Sequence, residues 1–409
     1  MFSAPFSARV ASSGAQDILA KDRARAQKLL AGLSPHGPAA FHKAKDRHRH
    51  GHGGGGAATG ASSDGSDSVD VTDAAVTYTI SVGVGSPATD YTLLIDTGSS
   101  NTWIGAGKKY TPTSTSTDTR KAVNVSYGSG SFSGTESAAA ADTDQVTLSP
   151  TLVIENQSIG VASTAQGFDD VDGILGIGPV DLTSTTVSGV SSVPTVTDNL
   201  FAQGTIATES IGISYVPSAS TDAVVNGELD FGGVDTAKTT GDVTFVPITS
   251  TSPASQYWGI DQSITYGNDS TILSSTAGIV DTGTTLLLLA TDAFQAYQQA
   301  TGAKLDNTTG LLTLTESQFE DLQSLFFEVG GTIFELTPNA QIWPRSLNST
   351  LGGEEDKIYL ITADLGSPSG QGLDFINGFG FLQRFYSVYD TTNSQVGLAT
   401  TPFTDAEAN

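Results

Sequence analysis

Two acids in this sequence have surroundings that suggest chemistry. Asp96 stands in Leu93-Leu94-Ile95-Asp96-Thr97-Gly98-Ser99-Ser100, and 185 positions later Asp281 stands in Gly278-Ile279-Val280-Asp281-Thr282-Gly283-Thr284-Thr285. In each copy an apolar run leads into Asp-Thr-Gly and a hydroxyl residue follows. A single copy reads as turn chemistry, with Asp capping its own backbone and Gly relieving the bend. Repetition of the whole pattern, once per half, points to a duplicated unit able to bring two carboxylates face to face. Two carboxyl groups so close cannot readily ionise together and share one proton over a wide acidic range. Such a pair is a general acid and a general base in one place.

Composition removes the competing machineries. The 409 residues contain no cysteine, so no disulfide and no thiol chemistry is available, and all five histidines fall between positions 36 and 52. Beyond residue 52, Ser-His-Asp and Cys-His arrangements and histidine zinc sites cannot be assembled. The net charge is -25, unevenly distributed: residues 1–52 carry +6 and the remaining 357 carry -31. An acidic body of this kind repels nucleic acid and anionic membranes, keeps the chain soluble, and suits acid, where its carboxylates protonate. No apolar run approaches membrane-spanning length.

The elements that must position the acids are mostly strands. Val76, Tyr78, Ile80, Val82 and Val84 alternate with small or polar residues, a period of two. Short β-type runs divided by Gly, Ser, Thr and Asp continue through the body, predicting an all-β protein with few helices. The helical exceptions are Thr197–Gln203 and a segment from Thr291, expected as its cap, to Thr301-Gly302. The stretches Asp172-Gly173-Ile174-Leu175-Gly176-Ile177-Gly178 and Asp374-Phe375-Ile376-Asn377-Gly378-Phe379-Gly380 form a second duplicated pair. Val125 to Gly134 reads as a glycine-rich hairpin. Ser13 to Gly32 reads as a basic helix anchored by Ile18, Leu19, Leu29 and Leu30, followed by a Lys/Arg/His-rich run and four glycines ending at Gly56.

On these motifs, residues 75–403 resemble the pepsin-family aspartic endopeptidases, and are most similar to the cysteine-free polyporopepsins of wood-decay fungi. The resemblance implies a bilobal pepsin-like fold with pseudo-two-fold related lobes, here 75–241 and 242–409, and no metal or cofactor. Asp96 and Asp281 would then activate a water. Ser99 and Thr284 would support the outer carboxylate oxygens, Thr97 and Thr282 would cross-link the two loops, and Gly98 and Gly283 would allow close approach. The hairpin would be the flap over bound peptide, with Tyr127 paired to Trp103, and Gly128, Ser129 and Thr285 contacting substrate. The departures from the family pattern are Asn377, where an apolar residue is usual, and Phe379, where many pepsins have Asp.

The same resemblance makes residues 1–56 a basic propeptide that inhibits its own enzyme, with Lys43 or Lys45 over the dyad. The Gly/Ser/Asp-rich stretch 57–74 becomes the processing linker, and the mature chain is expected to begin between Gly53 and Ala75. Further expectations are peptide or protein substrates, inhibition by statine-type peptides, and a monomer. A secreted, extracellular location is expected even though Met1–Phe6 lacks the apolar core of a secretory signal. Asn124, Asn156, Asn268, Asn307 and Asn348 lie in glycosylation patterns. Two readings compete. A catalytically silent pepsin-fold binding protein would usually have lost a dyad acid or flap residue, and all are present. A glycoside hydrolase also uses two carboxylates, but not within two copies of one turn.

Overall fold

The computed structural model describes residues 1–9, 15–31, 77–127, 131–133, 141–168, 171–217, 224–268 and 270–409. Period-two alternation becomes β-structure where predicted: β2 covers Thr77–Val84 and pairs antiparallel with β3, Thr89–Asp96. Ile80 and Val82 turn inward and Ser81 outward, as a half-buried pleat requires.

Among the described residues, the largest sheet has twelve strands and draws on both halves of the chain. Ser210–Tyr215 of the first half pairs with Phe385–Asp390 of the second, so the halves are joined by backbone hydrogen bonds as well as by packing. A seven-stranded sheet belongs wholly to the second half. Thr244–Pro247 pairs antiparallel with Gln395–Thr400.

The duplicated pair of stretches takes the same place in each half. Gly173–Gly176 runs parallel to β3, with Gly176 opposite Asp96, and antiparallel to Trp103–Ile104. Phe375–Asn377 runs parallel to Ser270–Val280, with Asn377 opposite Val280, and antiparallel to Leu287–Leu289. Each acid therefore leaves a strand whose far side is clamped by a second buried strand.

The N-terminal residues, which lack the apolar core of a secretory signal, form a strand. β1, Phe2–Arg9, sits between Val224–Phe231 and β2 in the twelve-stranded sheet. Its signal was the alternation of Phe2, Ala4 and Phe6, of which Ala4 and Phe6 are fully buried. The basic helix spans Ala15–Leu30 (α1). The helix expected over Thr197–Gln203 runs from Val196 to Ala202, capped reciprocally by Thr195 and Asp198. Thr291 is not a cap. It is the first residue of helix Thr291–Thr301, and its hydroxyl donates to Asp364 instead, 2.7 Å away. Gly302 ends that helix at φ +66, a conformation costly to any residue with a Cβ.

Candidate active site

Asp96 is the last residue of β3, and Asp281 directly follows Ser270–Val280. Both are buried, 1% and 0% exposed, which a carboxylate sustains only with partners. Those partners form matching sets. The Gly98 N–H donates to Asp96 Oδ1 at 2.9 Å and the Ser99 hydroxyl to Oδ2 at 2.6 Å. The Gly283 N–H donates to Asp281 Oδ1 at 3.0 Å and the Thr284 hydroxyl to Oδ2 at 2.7 Å.

The two turns are locked to each other through threonine. The Thr97 N–H donates to Thr282 Oγ1 at 3.0 Å, and the Thr282 N–H to Thr97 Oγ1 at 2.9 Å. The Thr282 hydroxyl continues to the Ile95 carbonyl at 3.1 Å. Only glycine fits where the turns meet: a Cβ on Gly98 would lie 2.7 Å from Asp281 Oδ1, and one on Gly283 equally close to Asp96 Oδ1.

A cation sits on this pair, and it is Arg25 of α1. Its Nε donates to Asp281 Oδ2 at 2.7 Å, while Nη2 reaches Asp96 Oδ1 at 2.6 Å and Asp281 Oδ1 at 3.0 Å. Burial by itself would lower the pKa of Arg25, but the charges of Asp281 and Asp96 outweigh it and hold the guanidinium firmly protonated. Lys43 and Lys45, expected over the dyad, lie outside the described residues, and the place expected for them is filled by Arg25. A guanidinium suits it better than an ammonium, because its planar fork serves two carboxylates at once.

Three charges spaced three apart on α1 span the site. Asp22 accepts from the Thr285 N–H at 3.1 Å and the Leu286 N–H at 2.8 Å. Lys28 donates to the Ser126 hydroxyl and, at 2.9 Å, to the Tyr127 carbonyl. Residues three apart share a helix face, so the signal for this contact lay in the spacing Asp22, Arg25, Lys28 within the predicted basic helix. Ile18, Leu19, Ala26 and Leu29 bury α1 against an apolar surface that includes Leu286, Trp343 and Leu347. Burial pushes Asp22 up to about 7 from 3.8, against the opposing pull of the Leu286 and Thr285 N–H groups. Burial, reinforced by the Arg25 charge, lowers Lys28 to about 8.

Tyr127 follows strand Asn124–Ser126, which pairs with Ser131–Ser133; Gly128 and Ser129 lie outside the described residues. The Tyr127 ring stacks on Trp103 at 6.4 Å, and Phe168 meets both rings edge-on. Burial, with the charge of Asp96, raises the Tyr127 hydroxyl well above its ordinary 10, against the opposing influence of Trp103, Arg25 and Ser99.

The unusual Asn377 has a specific buried partner. Its Nδ2 donates to Gln262 Oε1 at 2.8 Å, and Gln262 Nε2 donates back to Asn377 Oδ1 at 3.1 Å. Phe379 packs on Tyr78 and Tyr215, with centroids 4.6 and 6.1 Å away. Of the glycosylation patterns, Asn156, Asn268 and Asn307 are exposed and Asn124 is half-buried. Asn348 is a correction to the sequence reading. It is 1% exposed, and its Nδ2 donates to the carbonyls of Glu354 and Lys357 at 3.0 and 2.7 Å, so no glycan can be attached in this fold.

The family profile described as Eukaryotic aspartyl protease matches residues 77–401. This chain belongs to that family. Polyporopepsin of Irpex lacteus is 62% identical over 344 residues, 84% of this chain and 99% of that protein. A crystal structure of aspartic proteinase from Irpex lacteus matches the protease with a TM-score of 0.78 at 63% identity, covering 81% of this chain and 96% of that one. Gastricsin of Cavia porcellus is 31% identical over 333 residues, 78% of this chain and 79% of its own. The protease is a pepsin-like aspartic endopeptidase with the mainly β fold of that family.

Proposed function

We propose that the protease is made as a secreted zymogen, that Asp96 and Asp281 are its catalytic pair, and that α1 keeps it silent until acid releases it. The observation that carries this reading is the Arg25 fork, three hydrogen bonds of 2.6 to 3.0 Å that occupy carboxylate oxygens of both acids. While it is there, no water can be held between them. Residues 1–56 act as the inhibitory segment, 57–74 as the processing linker, and 75–241 and 242–409 as the two lobes.

With α1 gone, the pair holds a water. The ionised acid takes a proton from it as its oxygen adds to the carbonyl carbon of the scissile peptide, and the protonated acid donates to the carbonyl oxygen. The tetrahedral adduct collapses when the amide nitrogen receives a proton and the C–N bond breaks. No covalent enzyme intermediate forms. Ser99 and Thr284 keep the carboxylates oriented through the cycle. The hairpin carrying Tyr127, Gly128 and Ser129 closes on the peptide, and Thr285, freed from Asp22, offers its N–H to the peptide backbone. Acid favours release because it neutralises the carboxylates that the cations of α1 pair with. Among the described residues no helix is long and apolar enough to cross a membrane.

The test is to acidify the purified 409-residue chain and follow its mass and casein cleavage, with and without a statine-type peptide analogue. A mass drop of roughly the first 53 to 75 residues, with casein cleavage blocked by the analogue, is expected. Asp96→Asn should keep the fold and lose cleavage. Full activity in folded Asp96→Asn, or unprocessed chain retaining residues 1–50 after acidification, refutes the reading.

A further inference from the structure

α1 carries a second guanidinium against the body, and its receptor has no role in the chemistry above. Arg23 Nε donates to the main-chain carbonyl of Asp364 at 2.7 Å, and Nη2 to Asp364 Oδ2 at 3.2 Å. The receptor is prepared for a cation. Asp364 Oδ1 already accepts from the Thr291 hydroxyl at 2.7 Å and the Gly366 N–H at 2.9 Å, which fixes the carboxylate and turns Oδ2 toward the guanidinium. One turn along α1, Gln27 donates to the Leu365 carbonyl at 3.3 Å, so segment 364–366 forms a wall beside the helix. Arg23 and Arg25 are two residues apart on α1, so their side chains leave it in different directions and meet different parts of the body.

We propose that Asp364, with its own carbonyl, is a substrate subsite for a cationic side chain, uncovered when α1 leaves. The proposal rests on the zymogen reading, since α1 must vacate the cleft. The fixed carboxylate and the carbonyl present two acceptors to one planar fork, so arginine is favoured over lysine, whose ammonium is a single point charge. The Asp364 side chain is 21% exposed and Arg23 40%, so the gain is that of a half-solvated pair. The body's general acidity would attract any cationic peptide, but it would do so at every position equally.

The test uses acid-converted enzyme at about pH 5.5, above the ordinary aspartate pKa of about 3.9. Arginine, and its neutral isostere citrulline, are placed in turn at each position of a neutral apolar octapeptide. The expected result is one position at which arginine raises kcat/KM about three- to tenfold over citrulline, lysine raises it less, and the ratio shrinks between low and high salt. In Asp364→Asn the ratio falls to about one at that position and is unchanged elsewhere. The wild-type scan stands without the variant: equal ratios at all positions overturn the subsite, as does an undiminished ratio in folded Asp364→Asn. Cleavage of the citrulline peptides reports separately on the zymogen reading, and its complete absence overturns both.

Discussion

Replacing Arg25 by Gln removes the charge and leaves most of the side chain's length. Arg25 is 9% exposed and its two acids 1% and 0%. Withdrawing one partner from such a buried ionic group costs about 3–5 kcal/mol. Part of this is recovered here, because the carboxylates need not stay buried: α1 can lift and admit water to them. An effective loss of about 2–4 kcal/mol in docking converts, at 1.4 kcal/mol per tenfold, to a roughly 30- to 700-fold larger undocked population. Arg25→Lys keeps the charge but replaces the planar fork with a single point charge, so it should fall between the two. The assay is intramolecular processing and casein cleavage by the intact chain at a series of pH values, with hydrogen exchange over residues 15–31 measured near neutral pH, before conversion begins. Arg25→Gln should convert at higher pH than wild type, and its helix should exchange faster than the wild-type helix at the same pH. Unchanged conversion pH and unchanged exchange would refute the claim that this fork holds the segment in place.

Asp22 gives a pH dependence of the opposite sign to acid release. Its docked pKa of about 7 exceeds the ordinary 3.8, so docking takes up a proton; the contribution is complete below about pH 4 and disappears as pH rises through 7. Protection of the α1 amides, corrected for intrinsic exchange, should therefore fall as pH rises through about 7, and Asp22→Asn should flatten that fall. Asn377→Leu strands the buried amide of Gln262 and should lower unfolding stability by about 1–3 kcal/mol, while the double change with Gln262→Leu should cost less than the sum, as a urea-unfolding double-mutant cycle would show. Glycopeptide mapping of secreted protein should find Asn348 unmodified, and occupancy there would mean that segment 345–357 is not folded when glycans are added.

The sequence by itself determined the paired acids, their supporting hydroxyls, the mainly β architecture and the exclusion of thiol and histidine chemistry. These are local or compositional properties, legible in a repeated turn, a period of two and a missing residue type. Even α1 was present as a periodic basic segment. Which of its cations meets the dyad was not legible, because Arg25, Asp96 and Asp281 lie 71 and 256 positions apart and meet only when α1 docks on a surface contributed by remote strands. The same holds for β1, whose alternating pattern is plain but whose slot between β2 and Val224–Phe231 exists only once the sheet is assembled. Asn377 and Asn348 make the converse point. One departs from its family's pattern and the other fits a modification pattern, yet buried partners from elsewhere in the fold decide what each can do. Pattern fixes which groups are available, and tertiary packing fixes which of them lose water and must find each other.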